Sequence, residues 1–227
     1  MGWENTLPDY GEIKNAREKE EIAAKVASFV NDGDVIGVGS GSTAFMAIQA
    51  VAARVRGEKL NCLFVPTSRE LQMACAALGL KTASILDVKP YWCFDGADEI
   101  DPAGNLLKGR GGAMFQEKLV MKACSKKYIL ADKTKMVSAL GEKFAVPVEI
   151  SQLAYRAVEN ELYSIGAKKV TLRSAGGKDG AVISENGHFV ADVKFPSITA
   201  ETEKQIKQIT GVIESGLFWG YGVEVLS

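Results

Sequence analysis

Over residues 14–30, KNAREKEEIAAKVASFV, the apolar residues Ile22, Val26, Phe29 and Val30 recur at helical spacing behind a charged face, which predicts an amphipathic helix. The turn NDGD ends it, and VIGVG follows as a short run with no polar break, the pattern of a buried strand. STAFMAIQAVAARVR, from Ser42, reads as a helix with a small polar residue at its start. LNCLFVP is the next strand, and Thr67 with Glu70 predicts a capping box for the helix LQMACAALGL. KTASIL, YWCF and KYILAD read as further strands, with a helix over 113–126 between the last two. Short apolar strands alternating with helices predict an α/β fold, a largely parallel sheet with helices on both faces.

After GEKFAVPVEI the rhythm changes. A strand through Val148, a helix near 151–165, the strand KKVTLR, strands about the Asn-Gly turn of AVISENGHFVADVKF, a helix around 200–209 and the strand GVIESGLF follow. Strand-helix-strand-strand-helix-strand is the split βαβ order of ferredoxin-like domains. It predicts a lid over 142–218 inserted into a Rossmann-like core made of 1–141 and 219–227.

Composition narrows the chemistry. With 227 residues, 47% hydrophobic and 24% charged, the chain fits a soluble globular protein. Its net charge of −1 gives no reason to expect a nucleic-acid or anionic-membrane partner. No apolar run approaches the roughly 18 residues that span a bilayer. The opening stretch MGWENTLPDYGEIKNAREKEE is too polar for a secretory signal. Cys62, Cys75, Cys93 and Cys124 are dispersed, mostly in apolar segments, and read as core thiols of a cytoplasmic protein. The single histidine, His188, falls in a predicted hairpin turn, so a Ser-His-Asp triad or a His-based zinc site would depend on that one residue. Chemistry is left to carboxylates, lysines and backbone amides.

Three stretches carry candidates for it. GVGSGSTA, residues 37–44, follows a strand and opens a helix, so its N–H groups and the hydroxyls of Ser40, Ser42 and Thr43 face the place where an anion binds. It lacks the lysine of a Walker A loop. Gly39, Gly41 and Ala44 match G-x-G-x-x-A, but the nearest acid at the dinucleotide-binding distance is Glu58, in a polar loop, which favours a lone phosphate. DGADEID crowds Asp95, Asp98, Glu99 and Asp101 after the apolar run YWCF. These acids read either as acceptors for sugar hydroxyls or, on Asp95 and Asp98, as a magnesium site. In KGRGGAMFQEKLVMKACSKK the neighbours of Glu117 at i−4, i−3, i+3 and i+4 are Ala113, Met114, Val120 and Met121, all apolar. Glu117 therefore turns inward, while Lys118, Lys122 and Lys126 form the expected water-facing stripe. An inward carboxylate either takes a cationic partner, for which Lys108 is the candidate, or holds its proton more tightly, as a general base working near neutrality needs. A structural buried salt bridge is the alternative at Glu117, and a solvated loop charge the alternative at Lys108.

GVGSGSTA, PTSRE, FDGADEID, KGRGGAMFQEKLV, ADKTKMV and FAVPVEI, in this order, resemble ribose-5-phosphate isomerases of the A type, and the resemblance runs to GVIESGLFWGYGVEV. It implies interconversion of D-ribose 5-phosphate and D-ribulose 5-phosphate through an enediolate, in the non-oxidative pentose phosphate pathway, with no metal or organic cofactor. It also implies substrate contacts by Ser40, Gly41, Ser42 and Thr43, by Asp95, Gly96, Ala97 and Asp98, by Lys108, Gly109, Arg110 and Gly111, and by Lys135 and Lys19. Glu117 matches the catalytic base, with Asp95 assisting ring opening and Lys108 facing the oxyanion. Ser40 stands where threonine is usual, and Arg110 where some members have glycine. A non-catalytic sugar-phosphate sensor is the rival reading, but no basic recognition surface accompanies it. A small-molecule sugar phosphate and a second copy of the chain, as a dimer or tetramer, are the expected partners.

Overall fold

Alternation along the first strands decides how the sheet is covered. In the computed structural model, which describes Leu7 and residues 15–177 and 179–227, Val35–Val38 forms β1 and Trp92–Gly96 forms β3. Ile36, Val38, Trp92 and Phe94 project to one side and join a buried cluster with Ile22 and Val26, Ile48 and Val51, and Leu71 and Cys75. Those partners lie on the helices α1 (Ala16–Ser28), α2 (Ser42–Glu58) and α3 (Arg69–Ala77). Gly37 and Cys93 project to the other side, where α4 (Met114–Ala123) lies so close that a Cβ on Gly37 would sit 2.3 Å from Val120 Cγ1. Parallel sheets need both faces covered in this way.

The remaining strands of this sheet are β2 (Leu63–Pro66), β6 (Lys126–Leu130) and β12 (Glu224–Leu226). The order is β12-β6-β3-β1-β2, and every pairing is parallel. The fold is therefore mixed α/β around a five-stranded parallel sheet. The chain divides into two compact units, and this sheet belongs to the first, residues 1–96, 116–134 and 222–227.

The second unit comprises residues 97–115 and 135–221. It contains β4 (Glu99–Ile100), β5 (Leu106–Leu107), β7 (Val146–Ile150), α5 (Tyr155–Ser164), β8 (Lys169–Leu172), β9 (Phe189–Lys194), α6 (Ala200–Gln208), β10 (Val212–Ser215) and β11 (Leu217–Phe218). β7, β8, β9 and β10 form an antiparallel sheet in the order β10-β7-β9-β8, with α5 and α6 in the connections. That is the split βαβ topology. Val146, Val148, Ile150 and Val193 pack against Val158, Leu162 and Ile206 in its core. β11, β5 and β4 make a separate three-stranded sheet. Residues 97–115 thus group with the second unit, where element rhythm placed the change at 141–142.

Several local expectations shift. KTASIL is not a strand: Thr82 makes only an isolated bridge to Phe64, and Ser84 then folds the chain back by accepting from the Leu86 and Asp87 N–H groups. Ala181 and Ile183 likewise make only isolated bridges, to Ser174 and Phe189. Ser68, not Thr67, caps α3, accepting from Leu71 N–H at 3.1 Å, because Thr67 is still held to β1 by its own N–H on Val38 O. Lys118 is 3% exposed rather than water-facing, and Leu119 is exposed instead, so the wet stripe of α4 is narrower than the i+4 spacing implied. Lys14, at the head of the predicted first helix, and most of the polar opening stretch lie outside the described residues.

Glu99 is fully buried in β4 and accepts the Gly141, Lys143 and Phe144 N–H groups at 2.6, 2.6 and 2.7 Å. One carboxylate thereby fixes the loop that leads into β7. Replacing Glu99 with Ala orphans three donors, so the unfolding free energy should fall by about 3 kcal/mol, and Glu99→Gln, which keeps one acceptor oxygen, should lose less. Urea denaturation checks both, and equal midpoints for wild type and Glu99→Ala would refute the account.

Candidate active site

The end of β1 and the end of β3 meet at one glycine. Gly39 N–H donates to Phe94 O at 2.8 Å, and a Cβ built on Gly39 would lie 1.9 Å from Asp95 Cγ. Only a residue without a side chain allows that approach. Past it the chain turns through Ser40 and Gly41, and α2 begins at Ser42, with Phe45 N–H closing the first turn on Gly41 O at 2.8 Å. The N–H groups of this first turn have no carbonyl within the helix to bind, which leaves a positive helix end at the carboxyl edge of the sheet. Ligands of open α/β sheets bind at that edge.

Three buried side chains that can carry charge lie on these elements. Asp95 and Glu117 are each 3% exposed and Lys19 is 7% exposed. Ser40 Oγ donates to Glu117 Oε1 at 2.9 Å, which ties the carboxylate on α4 to the glycine loop. Asp95 Oδ1 accepts the Gly96 N–H at 2.7 Å. Lys19 Nζ donates to Ser42 Oγ at 3.3 Å and lies 4.0 Å from Asp132 Oδ2. Thr43 is buried beside Ser42. The predicted Lys19, Ser40, Gly41, Ser42, Thr43, Asp95, Gly96 and Glu117 thus all belong to the first unit. The arrangement has the polarity to hold an anion between a lysine and a helix start, with two buried carboxylates on the neighbouring elements.

Asp132 was missed. In ADKTKMV, just past the end of β6, this aspartate stands two residues before Thr134, the signature of an Asx turn. Burial pushes the Asp132 carboxyl up, but the Thr134 hydroxyl and N–H, the Asn15 side chain and the Lys19 ammonium outweigh it and hold it below the ordinary carboxylate value.

The other predicted residues lie in the second unit. Ala97 follows Gly96 directly, and Asp98 N–H donates to Leu107 O at 2.9 Å. Lys108 is 4% exposed, with its N–H on Gly216 O at 2.8 Å and its ammonium 5.7 Å from the centre of the Phe218 ring. Gly109 and Gly111 flank Arg110, whose guanidinium stacks 4.9 Å from the Phe144 ring centre. Lys135 ends a short 3-10 turn and is partly exposed. Glu99 and Asp101, the other half of the acid run, are structural. Asp101 accepts the Ala103 and Asn105 N–H groups and the Asn105 side-chain amide, each at 2.9 Å. Among the described residues no three His, Cys, Asp or Glu side chains are grouped to hold a metal ion, and no helix is long and apolar enough to cross a membrane.

Residues 63–227 match the family model for ribose 5-phosphate isomerase A (phosphoriboisomerase A). Ribose-5-phosphate isomerase A of Methanothermobacter thermautotrophicus is 38% identical over 211 residues, 92% of each chain. The counterpart from Synechococcus sp. is 42% identical, covering 89% of this chain and 88% of the other. The solved structure of ribose 5-phosphate isomerase A from Methanocaldococcus jannaschii superposes with a TM-score of 0.89 at 37% identity, covering 94% of this chain and 95% of that one.

The lowered Asp132 pKa carries a signed consequence. A carboxyl depressed on folding adds stability that is fully present above its unfolded value, about 3.9, and is lost as pH falls through the folded value. The stability difference between wild type and Asp132→Asn should hold steady above about pH 5 and shrink on further acidification. Chemical denaturation across that range measures it, and a difference that stays flat into strong acid refutes the assignment.

Proposed function

The chain belongs to the ribose 5-phosphate isomerase A family and interconverts D-ribose 5-phosphate and D-ribulose 5-phosphate; from that premise we propose that Glu117 carries the proton. Moving the carbonyl from C1 to C2 requires removing the C2 proton, passing through an enediolate, and returning a proton to C1. One carboxylate can do both if it lies against the two carbons and is kept from water. The observation that carries this reading is the burial of Glu117 together with its hydrogen bond from Ser40, which fixes one oxygen and leaves the carboxylate a defined orientation.

The remaining roles follow from charge and position. The phosphate takes the start of α2, with the hydroxyls of Ser40, Ser42 and Thr43, the N–H groups around Gly41, and the ammonium groups of Lys19 and Lys135. Lys19 is already turned to that helix end by Ser42 and Asp132, which supports the assignment. Asp95 assists ring opening and moves a proton between the sugar oxygens. Gly96, Ala97 and Asp98 line the sugar hydroxyls. Lys108 stabilises the enediolate oxygen, with Gly109, Arg110 and Gly111 presenting their backbone beside it. Arg110 in place of glycine does not crowd this loop, because its guanidinium is occupied by Phe144.

The reaction needs no redox or Lewis-acid cofactor, since a carboxylate and an ammonium supply the base and the electrophile. We place the enzyme in the cytoplasm, within the non-oxidative pentose phosphate pathway, acting on a free sugar phosphate and not on nucleic acid or membrane. We also propose a homodimer or tetramer. The open edges of the four-stranded sheet, β10 and β8, and the fully exposed Leu153 support self-association.

Glu117→Gln keeps the shape and the Ser40 contact but removes the base. Turnover should fall by about 10²- to 10⁴-fold, with sugar-phosphate binding retained. Solvent-deuterium exchange at C2, followed by NMR, should cease, and near-normal exchange would refute the role of Glu117. Activity in excess EDTA should equal that in buffer alone, and loss under EDTA would favour a magnesium site on Asp95 and Asp98.

A further inference from the structure

The four-stranded sheet of the second unit carries an ion pair whose free side is turned to the backbone of residues 109 and 110. Arg173, directly after β8, donates from Nε to Asp192 Oδ2 at 2.9 Å and from Nη2 to Asp192 Oδ1, a bidentate pair. Its Nη1 donates to two backbone carbonyls, Gly109 O at 3.1 Å and Arg110 O at 2.6 Å. The Arg173 side chain is 15% exposed and that of Asp192 32%. Asp192 is itself held within β9, paired with Pro147 on one side and Thr171 on the other. Every nitrogen of the guanidinium is thereby used, two on the acid and one on the loop.

That arrangement has a geometric consequence. In a trans peptide the carbonyl and the following N–H point in opposite directions. With the Gly109 and Arg110 carbonyls drawn onto the guanidinium, the N–H groups of Arg110 and Gly111 must face away from it. Both residues are exposed. The ends of the loop are fixed separately, by Lys108 N–H on Gly216 O at 2.8 Å and by Glu185 N–H on Gly112 O at 3.2 Å. Between them Gly109 O also accepts the Gly112 N–H at 3.1 Å, closing a turn, and Arg173 adds its contacts to the Gly109 and Arg110 carbonyls.

We propose that Arg173, locked by Asp192, is a positioning residue for the isomerisation, orienting the peptide planes after Lys108 so that the Arg110 and Gly111 N–H groups meet the sugar oxygens. The proposal rests on the reading of the Lys108 loop given above. A lysine cannot replace the arginine, because a single ammonium has no planar fork to hold a carboxylate and two carbonyls together. Small displacements at such a loop are costly, since about 1 Å of misplacement can lose 10²-fold in rate.

The test compares Arg173→Lys, Arg173→Ala and Asp192→Asn with Lys108→Met, measuring kcat and KM for ribulose 5-phosphate formation, thermal unfolding, and inhibition by inorganic phosphate. Arg173→Ala should lose about 10²-fold and Arg173→Lys about tenfold, mainly in kcat, with inhibition by inorganic phosphate unchanged because the α2 helix start binds it. Added guanidinium ion at non-denaturing concentration should partly restore Arg173→Ala. If Arg173→Ala does not fold, Arg173→Lys and Asp192→Asn decide the matter by the same kcat readout. Wild-type kcat in a folded Arg173 variant overturns the proposal, as does a loss that weakens phosphate inhibition equally. Slow Lys108→Met with normal Arg173→Ala overturns the positioning role alone, whereas normal Lys108→Met overturns the underlying reading of the loop.

Discussion

The close approach of Gly39 to Asp95 is the constraint on which the chemistry proposed for the first unit depends. β1 and β3 are adjacent and parallel, with Val38 opposite Phe94, so the next residue on each strand, Gly39 and Asp95, must share one position at the sheet's end. A side chain at 39 would occupy the space of the Asp95 carboxyl. Because it is absent, the loop that opens α2 and the first acid of DGADEID lie side by side, and Ser40 is carried on to the carboxylate of Glu117. The glycine loop, Asp95 and Glu117, to which the phosphate, acid and base roles are proposed, are thus joined by backbone geometry and the short Ser40 side chain.

The density of acids in DGADEID resolves into two kinds of work. Glu99 and Asp101 each accept three N–H donors, so they fold the chain on either side of β4 and have little acceptor capacity left for a ligand. Asp95 precedes them at the strand end, buried but beside the glycine loop. Burying an ionised carboxylate is costly unless its lone pairs are met. Glu99 meets that cost inside the fold. Asp95 accepts the Gly96 N–H, and on the proposed reading Asp95 and Asp98 also face the hydroxyls of a sugar, so the stretch serves both the fold and the substrate.

Much of this was legible in the sequence because it rests on local regularities. Strand runs, the glycine loop before α2, the split βαβ order and the inward turn of Glu117 all follow from spacing within a few residues. What stayed hidden depends on partners distant in the chain. The Glu99 carboxylate is defined by N–H groups more than forty residues away, and nothing in DGADEID distinguishes it from Asp98. Lys118 obeyed the i+4 rule for an exposed stripe, yet the helix is covered on more than one side. KTASIL is apolar enough for a strand, but Ser84 competes for the backbone and wins after one bridge. Arg173 sits in an unremarkable KKVTLR, and its meaning appears only when the carbonyls of Gly109 and Arg110 lie against it.

On the proposed reading each unit meets the same requirement by a different device. An enediolate and a phosphate both need N–H groups aimed outward, and an N–H is aimed by what holds the carbonyl on the other side of its peptide. In the first unit the helix does this: the carbonyls of Gly41 and its successors are drawn along α2, so the N–H groups at its start are left pointing out. Residues 109–111 lie outside any helix, and the one turn bond there, from Gly112 N–H to Gly109 O at 3.1 Å, leaves the Arg110 carbonyl to Arg173. There a side chain takes the helix's part, and it must hold two successive carbonyls while being held itself. Arginine backed by aspartate meets both requirements with one planar group, which gives a physical reason for a bidentate ion pair with its remaining nitrogen turned to the Lys108 loop.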